Sequence, residues 1–407
     1  MTNLLGLTGG GTVVLAVLLL LGISAGTVIC WNRLSVLGRW VWPARAALFG
    51  ASQLSAIVVT ALVLNNAFVF YQSWAELFGA HPKQDRPAAA AGLIDARLAP
   101  ELKLHARLGL GTTTTLDVPG TVSGVRTGPA LVYLPPQYGD PAYADRAFPV
   151  VELLDGFPGS PYTWFRTLHL ATVMNGLIAT GRSVPFVIVA PVQNVDSPHD
   201  TECVNVPGGP QVDDYLTYDV RSAVEHNLRV STAPGQWAVM GDSTGGYCAA
   251  DIALQHTALF GAAVSISGYD APAHDGTTGN LWGKHPAQAD FYSPLWLMQH
   301  RQVGPMRLLL TATRRDSTAY NASVRLSAAA RPPVAVSTLV LPEGGHNFAT
   351  FAAELPAAFG WISHNVATAL APIPTVDGLS PQPAIPSRPK HHPVRGRGAE
   401  TVKLATR

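Results

Sequence analysis

Short apolar runs alternate with helix-compatible segments through the middle of the chain. The runs are rich in Val, Leu, Ile and Ala and cover residues 149–154, 184–190, 237–240, 262–267, 306–312 and 334–341. Segments compatible with helices lie between them, at 215–227, 247–259 and 319–330. Buried parallel strands joined by helices produce this pattern. We therefore predict an α/β fold with an open, mostly parallel, doubly wound sheet.

A different pattern precedes these runs. Residues 102–134 alternate apolar and polar positions, with Gly and Thr clusters between them, and the segment 131–138 contains a proline pair. Alternation with a period of two is typical of half-buried antiparallel strands. We predict antiparallel leading strands here, within one globular domain that covers residues 101–370.

Two long apolar runs without any charged residue begin the chain, at residues 4–30 and 46–70. Each is long enough to cross a hydrocarbon layer of about 30 Å. The first run could instead be a cleaved signal peptide, but such a peptide has a positive N-terminal region. The first seven residues contain no Lys or Arg. We predict a membrane anchor over residues 1–75 with two transmembrane helices.

The loop between the two runs determines the expected orientation. It carries Arg33, Arg39 and Arg45 and no acidic residue. Positively charged loops remain on the cytoplasmic side of a membrane. We therefore predict a multi-pass cell-membrane protein whose N-terminus and globular domain lie outside the cytoplasm.

Two further segments differ from the globular domain in composition. Residues 76–100 are rich in Ala, Pro and charge and are predicted to form a linker, with a short helix as an option. Residues 371–407 are rich in Pro, Lys and Arg and are predicted to be a disordered tail. The basic tail could contact anionic envelope components, or it could simply be solvated.

Composition agrees with an association with the lipid bilayer. Charged residues make up 13% of the chain, which is about half the usual share of a soluble domain. The net charge of +1 gives no support to a nucleic-acid partner. The three cysteines form no C-x-x-C motif or Cys/His cluster with zinc-like spacing. We expect neither a metal nor a cofactor.

The candidate chemistry centres on a G-x-S-x-G motif. Gly241-Asp242-Ser243-Thr244-Gly245 follows an apolar strand and precedes a segment compatible with a helix. This is the context of a nucleophile elbow, in which a strained turn exposes the serine hydroxyl. Ser243 is the predicted nucleophile, although the same motif could be a plain glycine-rich turn.

A serine hydroxyl needs a base, and the base needs an orienting acid. His346 lies in a Gly-Gly-His-Asn loop after the last predicted strand, and it is the predicted base. Asp316 follows the preceding strand and is the predicted acid, with Asp270 and Glu343 held in reserve. A structural loop histidine and a surface Asp paired with a neighbouring arginine are the alternatives.

An oxyanion hole needs two fixed N–H donors. Thr244, directly after the nucleophile, should supply one. Phe157, in the loop after the strand at 149–154, should supply the other. Asp155 in the same loop is predicted to lie beside the cleft and to contact a polar substrate group, or to be a turn residue that bonds its own loop.

Two cysteines lie in the predicted extracytoplasmic domain. Cys203 precedes the elbow in a loop, and Cys248 lies in the helix after Ser243. Disulfides are permitted outside the cytoplasm. We predict a Cys203–Cys248 bond that holds the loop beside the candidate site, with two buried free thiols as the alternative.

With these residues in view, the chain from about residue 131 to 361 resembles the esterase D / antigen 85 family of α/β-hydrolases. The resemblance rests on Leu-Pro-Pro at the end of a strand, Leu-Leu-Asp-Gly at 153–156, the elbow, and the Gly-Gly-His sequence ending at His346. It implies the α/β-hydrolase fold and a serine esterase or acyltransferase. The family's antigen 85 members move long acyl chains onto envelope sugars, but they have Glu where this chain has Asp316, and Trp where it has Phe348 and Phe351.

Three functions follow as alternatives. The first is a membrane-anchored extracytoplasmic serine esterase that acts on an ester or acyl-lipid substrate through an acyl-enzyme. The second is an acyltransferase in which a sugar or lipid hydroxyl replaces water. The third is a non-catalytic envelope protein on a hydrolase scaffold.

Overall fold

One sheet of eight strands, in the order β1-β2-β5-β4-β6-β7-β8-β9, forms the centre of the molecule. The structure is a computed structural model that describes residues 6–7, 10–68, 74, 93–366 and 371–372. The strands of this sheet are β1 Thr112–Leu116, β2 Ala130–Leu134, β4 Val150–Leu154, β5 Val187–Ala190, β6 Trp237–Asp242, β7 Ala262–Ile266, β8 Met306–Thr313 and β9 Val334–Leu341. β2 pairs antiparallel with β1 and β5, and the other pairs are parallel. The predicted α/β class with a mostly parallel sheet is confirmed.

Helices connect the strands and cover the sheet. The α-helices are Gly10–Cys30, Val41–Phe68, Leu93–Leu108, Leu170–Ala179, Val212–Asp214, Val220–Asn227, Thr244–Gln255, Gln288–Phe291, Pro294–His300, Ser317–Ala329 and Phe348–Asn365. Turns of 3-10 helix occupy Arg33–Trp40, Pro136–Gly139, Pro141–Tyr143 and Pro234–Gln236. π-helical turns occupy Thr163–Thr167 and Tyr215–Asp219.

The central strands are buried on both faces, which explains their continuous apolar sequence. In β6, Trp237 and Val239 pack into one hydrophobic cluster, whereas Ala238 and Met240 pack into the cluster on the opposite face. Side chains alternate between the two faces of a strand, so a strand covered on both sides needs apolar residues at every position.

The segment before β1 corrects one sequence prediction. Residues 102–108 were predicted to belong to leading strands, but they end a helix that begins at Leu93, inside the range assigned to the linker. Leu98 and Leu102 lie four residues apart and pack inward, whereas Leu104 and Leu108 are exposed. A helical face spaced by four residues was therefore mistaken for strand alternation. The antiparallel pair β1–β2 is present as predicted.

Two long apolar helices precede this domain. By length and composition, Gly10–Cys30 and the helical segment Arg33–Asn65 could each cross a bilayer. The second segment comprises the 3-10 turn Arg33–Trp40 and most of the helix Val41–Phe68. The two helices contact each other, and the hydroxyl oxygens of Ser24 and Ser52 lie 2.9 Å apart. Gly10–Cys30 has no buried residue.

The chain end described by the structure adds a second, two-stranded sheet. β10 (Ala371–Pro372) pairs antiparallel with β3 (Arg146–Ala147). The rest of the predicted tail and most of the predicted linker lie outside the described residues.

The sheet brings four loops to one edge. β4, β6, β8 and β9 run parallel to one another. Their carboxyl ends therefore lie at the same edge, which is where open α/β sheets place their ligand sites.

Candidate active site

Ser243 occupies the sharp turn between β6 and the helix Thr244–Gln255. Its backbone has φ 54° and ψ −120°, a conformation rarely adopted by residues other than glycine. The Ser243 N–H donates to the Ile266 carbonyl at 2.9 Å, which holds the turn against β7. Such a conformation costs about 1–3 kcal/mol and persists only where the surrounding structure enforces it.

Two glycines permit this turn. A Cβ atom on Gly241 would lie 2.2 Å from the Gly245 carbonyl oxygen, and one on Gly245 would lie 2.2 Å from the Leu154 carbonyl oxygen. Both distances are far inside van der Waals contact. The elbow motif therefore needs glycine at both positions, because the strand and helix backbones cross without room for a side chain.

The structure brings Ser243, His346 and Asp316 together in one hydrogen-bonded chain. Ser243 Oγ lies 2.8 Å from His346 Nε2. His346 Nδ1 lies 2.7 Å from Asp316 Oδ2. Since a carboxylate only accepts hydrogen bonds, Nδ1 carries the proton and Nε2 is free to accept one from the serine hydroxyl.

Each partner is fixed by its own loop. Asp316 caps the helix Ser317–Ala329, and its Oδ1 accepts from the Ala319 N–H at 3.3 Å. His346 sits between β9 and the helix that begins at Phe348, with its ring edge-on to Phe351 at 5.3 Å between centroids. Asp316 thus uses one oxygen for the helix and the other for the imidazole.

The two reserve acids lie in other interactions. Asp270 pairs with Arg325 at 2.6 Å. Glu343 pairs with Arg315 at 2.9 Å, and both of those side chains are exposed. Among the three candidate acids, the structure places only Asp316 against His346.

Electrostatics separate the pKa values of the pair. The hydrogen bond that His346 donates to Asp316, and then the negative charge of Asp316, raise the pKa of His346 above the ordinary value, although burial opposes this. Burial raises the pKa of Asp316, but the hydrogen bond and charge of His346 outweigh it and leave that pKa below its ordinary value. The arrangement favours an ionised Asp316 and an imidazole that is more basic than a free histidine.

The two predicted oxyanion donors lie on loops that flank Ser243. Thr244 is the first residue of the helix after the elbow, and the first N–H groups of a helix have no partner within it. Phe157 is half-buried in the loop after β4. Its neighbour Gly156 lies so close to Ser243 that an added Cβ would be 3.0 Å from Ser243 Cβ. The role of these two N–H groups remains a prediction.

The structure corrects a second sequence prediction, the placement of Asp155. It was expected beside the cleft, in contact with substrate, but its side chain is 0% exposed. Neither carboxylate oxygen has a hydrogen-bond partner among the described residues. Burial and the nearby Asp242 raise its pKa well above the ordinary value, which favours the protonated form of Asp155. A group enclosed in this way cannot contact a polar substrate.

Cys203 and Cys248 form a disulfide, with an S–S distance of 2.04 Å and Cα atoms 5.9 Å apart. The bond ties the loop 200–203 to the helix that follows Ser243. The same loop places Asp200 Oδ2 3.3 Å from the Thr244 hydroxyl. Thr244 therefore lies next to Ser243 and contacts the disulfide-bonded loop.

The sequence analysis assigned no role to three residues that lie around the site. Asp242 lies within the elbow, and its carboxylate accepts the Gly156 N–H. Gln193 and Asn194 follow β5 and donate side-chain hydrogen bonds to the loop after β4. Their position offered a signal, because polar amides soon after a buried parallel strand, here β5 ending at Ala190, lie near the sheet edge that holds the candidate site. In the described ranges, no group of three His, Cys, Asp or Glu side chains is arranged to hold a metal ion.

Comparison with known proteins agrees with this geometry. A ferulic acid esterase superposes with a TM-score of 0.53 at 18% identity, covering 62% of this chain and 97% of that one. An S-formylglutathione hydrolase from Agrobacterium tumefaciens gives 0.53 at 15% identity, covering 63% and 96%. Fluorophosphonate-binding serine hydrolase F of Staphylococcus aureus gives 0.51 at 16% identity, covering 62% and 99%. These similarities establish the α/β-hydrolase fold.

Sequence comparison identifies the family. An uncharacterised protein of Corynebacterium glutamicum is 24% identical over 323 residues, which cover 76% of this chain and 74% of that protein. The family model named Esterase matches residues 126–362, more than half of the chain. That range contains Ser243, Asp316 and His346. The chain therefore belongs to the Esterase family of hydrolases with the α/β-hydrolase fold.

Proposed function

We propose that this protein is a membrane-anchored serine esterase that cleaves carboxylic esters outside the cytoplasm through an acyl-enzyme. The observation that carries the proposal is the hydrogen-bonded chain of Ser243, His346 and Asp316 at a strained turn. A serine, an imidazole and a carboxylate at these distances form the arrangement that activates a hydroxyl for acyl transfer.

The geometry supports a two-step reaction. Ser243 Oγ attacks the ester carbonyl carbon while His346 Nε2 takes its proton, and the carbonyl oxygen becomes an oxyanion facing the N–H groups of Thr244 and Phe157. The ester C–O bond then breaks, and His346 returns the proton to the departing alcohol. Water, deprotonated by His346, then attacks the acyl carbon of the acyl-enzyme. The bond between that carbon and Ser243 Oγ breaks, the carboxylic acid leaves, and His346 returns the proton to Ser243 Oγ.

Asp316 supports both steps without exchanging a proton. It holds Nδ1–H at 2.7 Å and so keeps Nε2 as the acceptor. When His346 becomes an imidazolium, the negative charge of Asp316 stabilises it.

The N-terminal helices support the anchoring. A helix of 21 residues spans roughly 30 Å at about 1.5 Å per residue, the thickness of a hydrocarbon core. Arg45, predicted in the cytoplasmic loop, lies in the first turns of the helix Val41–Phe68. Its guanidinium carbon lies 4.8 Å from the centroid of the Trp31 ring, and its Nη2 donates to the Trp31 carbonyl at 3.1 Å. Aromatic rings and arginines of this kind are enriched at membrane interfaces.

A panel of p-nitrophenyl esters tests the catalytic part of the proposal. We expect the full-length, detergent-solubilised protein to release nitrophenol, and Ser243→Ala to reduce the rate to near background with an unchanged circular dichroism spectrum. Parallel reactions with trehalose or glycerol separate hydrolysis from acyl transfer, because transfer yields an acylated sugar or acylglycerol. Exclusive formation of acylated acceptor would replace hydrolysis by the antigen 85-like reaction.

Reporter fusions test the anchoring. We expect a C-terminal alkaline phosphatase fusion to be active and a reporter that needs the cytoplasm to be silent. Alkaline extraction of membranes should leave the protein in the pellet. Release into the supernatant, or the opposite reporter pattern, would contradict the proposed location.

A further inference from the structure

The loop Asp155–Gly159 carries the predicted oxyanion donor Phe157. Side-chain amides of two residues donate hydrogen bonds to the backbone carbonyl groups of this loop. Gln193 Nε2 donates to the Asp155 carbonyl at 2.9 Å. Asn194 Nδ2 donates to the Gly156 carbonyl at 3.3 Å and to the Gly159 carbonyl at 2.8 Å. Because a carbonyl oxygen only accepts, the amide nitrogens and not the amide oxygens must face this loop.

These bonds fix the direction of the Phe157 N–H. A peptide unit is planar and trans, so its C=O and N–H point in opposite directions. The Gly156 carbonyl receives both Asn194 Nδ2 and the Gly159 N–H, the latter at 2.6 Å. The N–H of the same peptide unit belongs to Phe157, and it must therefore point away from Asn194.

The preceding peptide unit is held from both sides. Its carbonyl, on Asp155, receives Gln193 Nε2, and its N–H, on Gly156, donates to the Asp242 carboxylate. Gln193 is 1% exposed and Asp242 is 1% exposed, so water does not compete for these bonds. Rotation of this peptide would break the bond between the Gln193 amide and the Asp155 carbonyl, and it would remove the Gly156 N–H from the Asp242 carboxylate. Losing hydrogen bonds between buried groups is costly.

We propose that Asn194 is a positioning residue for the oxyanion hole, and that Gln193 and Asp242 assist it by fixing the adjacent peptide. This inference rests on the proposed serine esterase function. Asn194 does not touch the reacting atoms. It keeps the Gly156–Phe157 peptide in the orientation that presents the Phe157 N–H to a developing oxyanion. A reversed peptide would present a carbonyl oxygen there and would repel the oxyanion instead.

The substitution Asn194→Asp tests this directly. Aspartate has nearly the same shape, but it places a negative carboxylate against two carbonyl oxygens and so favours the reversed peptide. The Gly159 N–H bond remains, so the effect should be smaller than the roughly 10²–10³-fold loss that follows removal of an oxyanion donor itself. We expect kcat for p-nitrophenyl butyrate to fall by about 10- to 100-fold with KM little changed.

A transition-state analogue provides a readout that a purely structural role would not move. An alkyl trifluoromethyl ketone forms a tetrahedral adduct with serine, and its oxyanion occupies the hole. We expect its inhibition constant to rise by the same factor as kcat/KM falls in Asn194→Asp. Gln211→Glu is the matched control, because Gln211 Nε2 also caps two loop carbonyls, those of Val206 and Gly209, at 2.9 and 2.8 Å. It should keep the wild-type kcat and inhibition constant.

The outcomes separate this inference from the function on which it rests. Asn194→Ala removes the donor without adding charge, and its kcat and inhibition constant are measured as well. If Asn194→Asp does not fold, a lower kcat and a higher inhibition constant in Asn194→Ala support the positioning role. Folded Asn194 variants with the wild-type kcat and inhibition constant would overturn the positioning role while leaving the esterase intact. A wild-type protein without ester turnover would overturn the proposed function itself, and this inference with it.

Discussion

The loops after β8 and β4 each carry an aspartate at the same edge of the sheet, yet the two carboxyl groups have opposite environments. Asp316 is 8% exposed and touches His346. Asp155 is 0% exposed, and its carboxylate oxygens have no hydrogen-bond partner in the described part of the chain. Position after a parallel strand therefore brings a residue to the catalytic edge, but it does not decide which way the side chain points.

The offset from the strand explains the difference. Asp155 directly follows Leu154, the last residue of β4, and lies in a loop whose backbone is held by Gln193 and Asn194. Asp316 comes after a turn beyond Thr313 and caps the helix that begins at Ser317, and from this position its side chain reaches His346. Folding therefore raises the pKa of Asp155 and lowers the pKa of Asp316.

The largest loss of activity should follow removal of His346, the hydrogen-bond partner that Asp316 has and Asp155 lacks. His346→Ala removes the imidazole that lies 2.8 Å from the Ser243 hydroxyl and would accept its proton in the proposed mechanism. We expect kcat to fall by about 10⁶-fold, the loss known for removal of the histidine from a Ser-His-Asp triad. The rate of p-nitrophenyl ester hydrolysis checks this. If kcat falls by less than tenfold, another group must activate Ser243.

Asp316→Asn should have the next largest effect. An amide can no longer fix the imidazole tautomer or stabilise the imidazolium, and we expect a loss of about 10⁴-fold in kcat. The pH profile should change too. Only neutral His346 accepts a proton, so kcat/KM rises as the pH passes its pKa, and Asp316 raises that pKa. In Asp316→Asn the acidic limb should move to lower pH. A limb that stays in place would contradict the pairing.

Asp155→Asn should leave kcat close to wild type and change stability instead. An acid whose pKa is raised by folding binds more protons in the folded state, so stability falls as the pH rises above its ordinary pKa of about 4. The wild type should therefore lose melting temperature, relative to Asp155→Asn, as the pH rises from about 4 toward neutrality. A large loss of kcat in Asp155→Asn, with an unchanged dependence of melting temperature on pH, would show instead that this carboxylate acts in the cleft.

Glu343→Gln should have the smallest effect. Glu343 and Arg315 form an exposed pair, with side chains 74% and 71% exposed. Such pairs contribute at most about 1 kcal/mol to the free energy of unfolding. We expect unchanged kcat and a nearly unchanged melting temperature. A loss of kcat like that of Asp316→Asn would make Glu343 the acid partner.

Sequence alone predicted the sheet and the meeting of Ser243, Asp316 and His346, because both follow from apolar periodicity and from the ends of parallel strands. It failed where a side chain's direction depends on packing from distant segments. Asp155 was misplaced for that reason, and Asn194 was missed because its partners lie 35 and 38 residues away. The helix Leu93–Leu108 was partly mistaken for strand, because leucines at 102 and 104 imitate alternation.

The most direct test of the account is covalent labelling of Ser243 in the full-length protein. A fluorophosphonate probe reacts with an activated serine because its phosphorus accepts attack as the ester carbon would. We predict that mass spectrometry finds the label on Ser243, that Ser243→Ala abolishes it in a folded protein, and that His346→Ala slows it by orders of magnitude. A folded Ser243→Ala variant that still takes the label and hydrolyses esters would contradict the central role of the elbow.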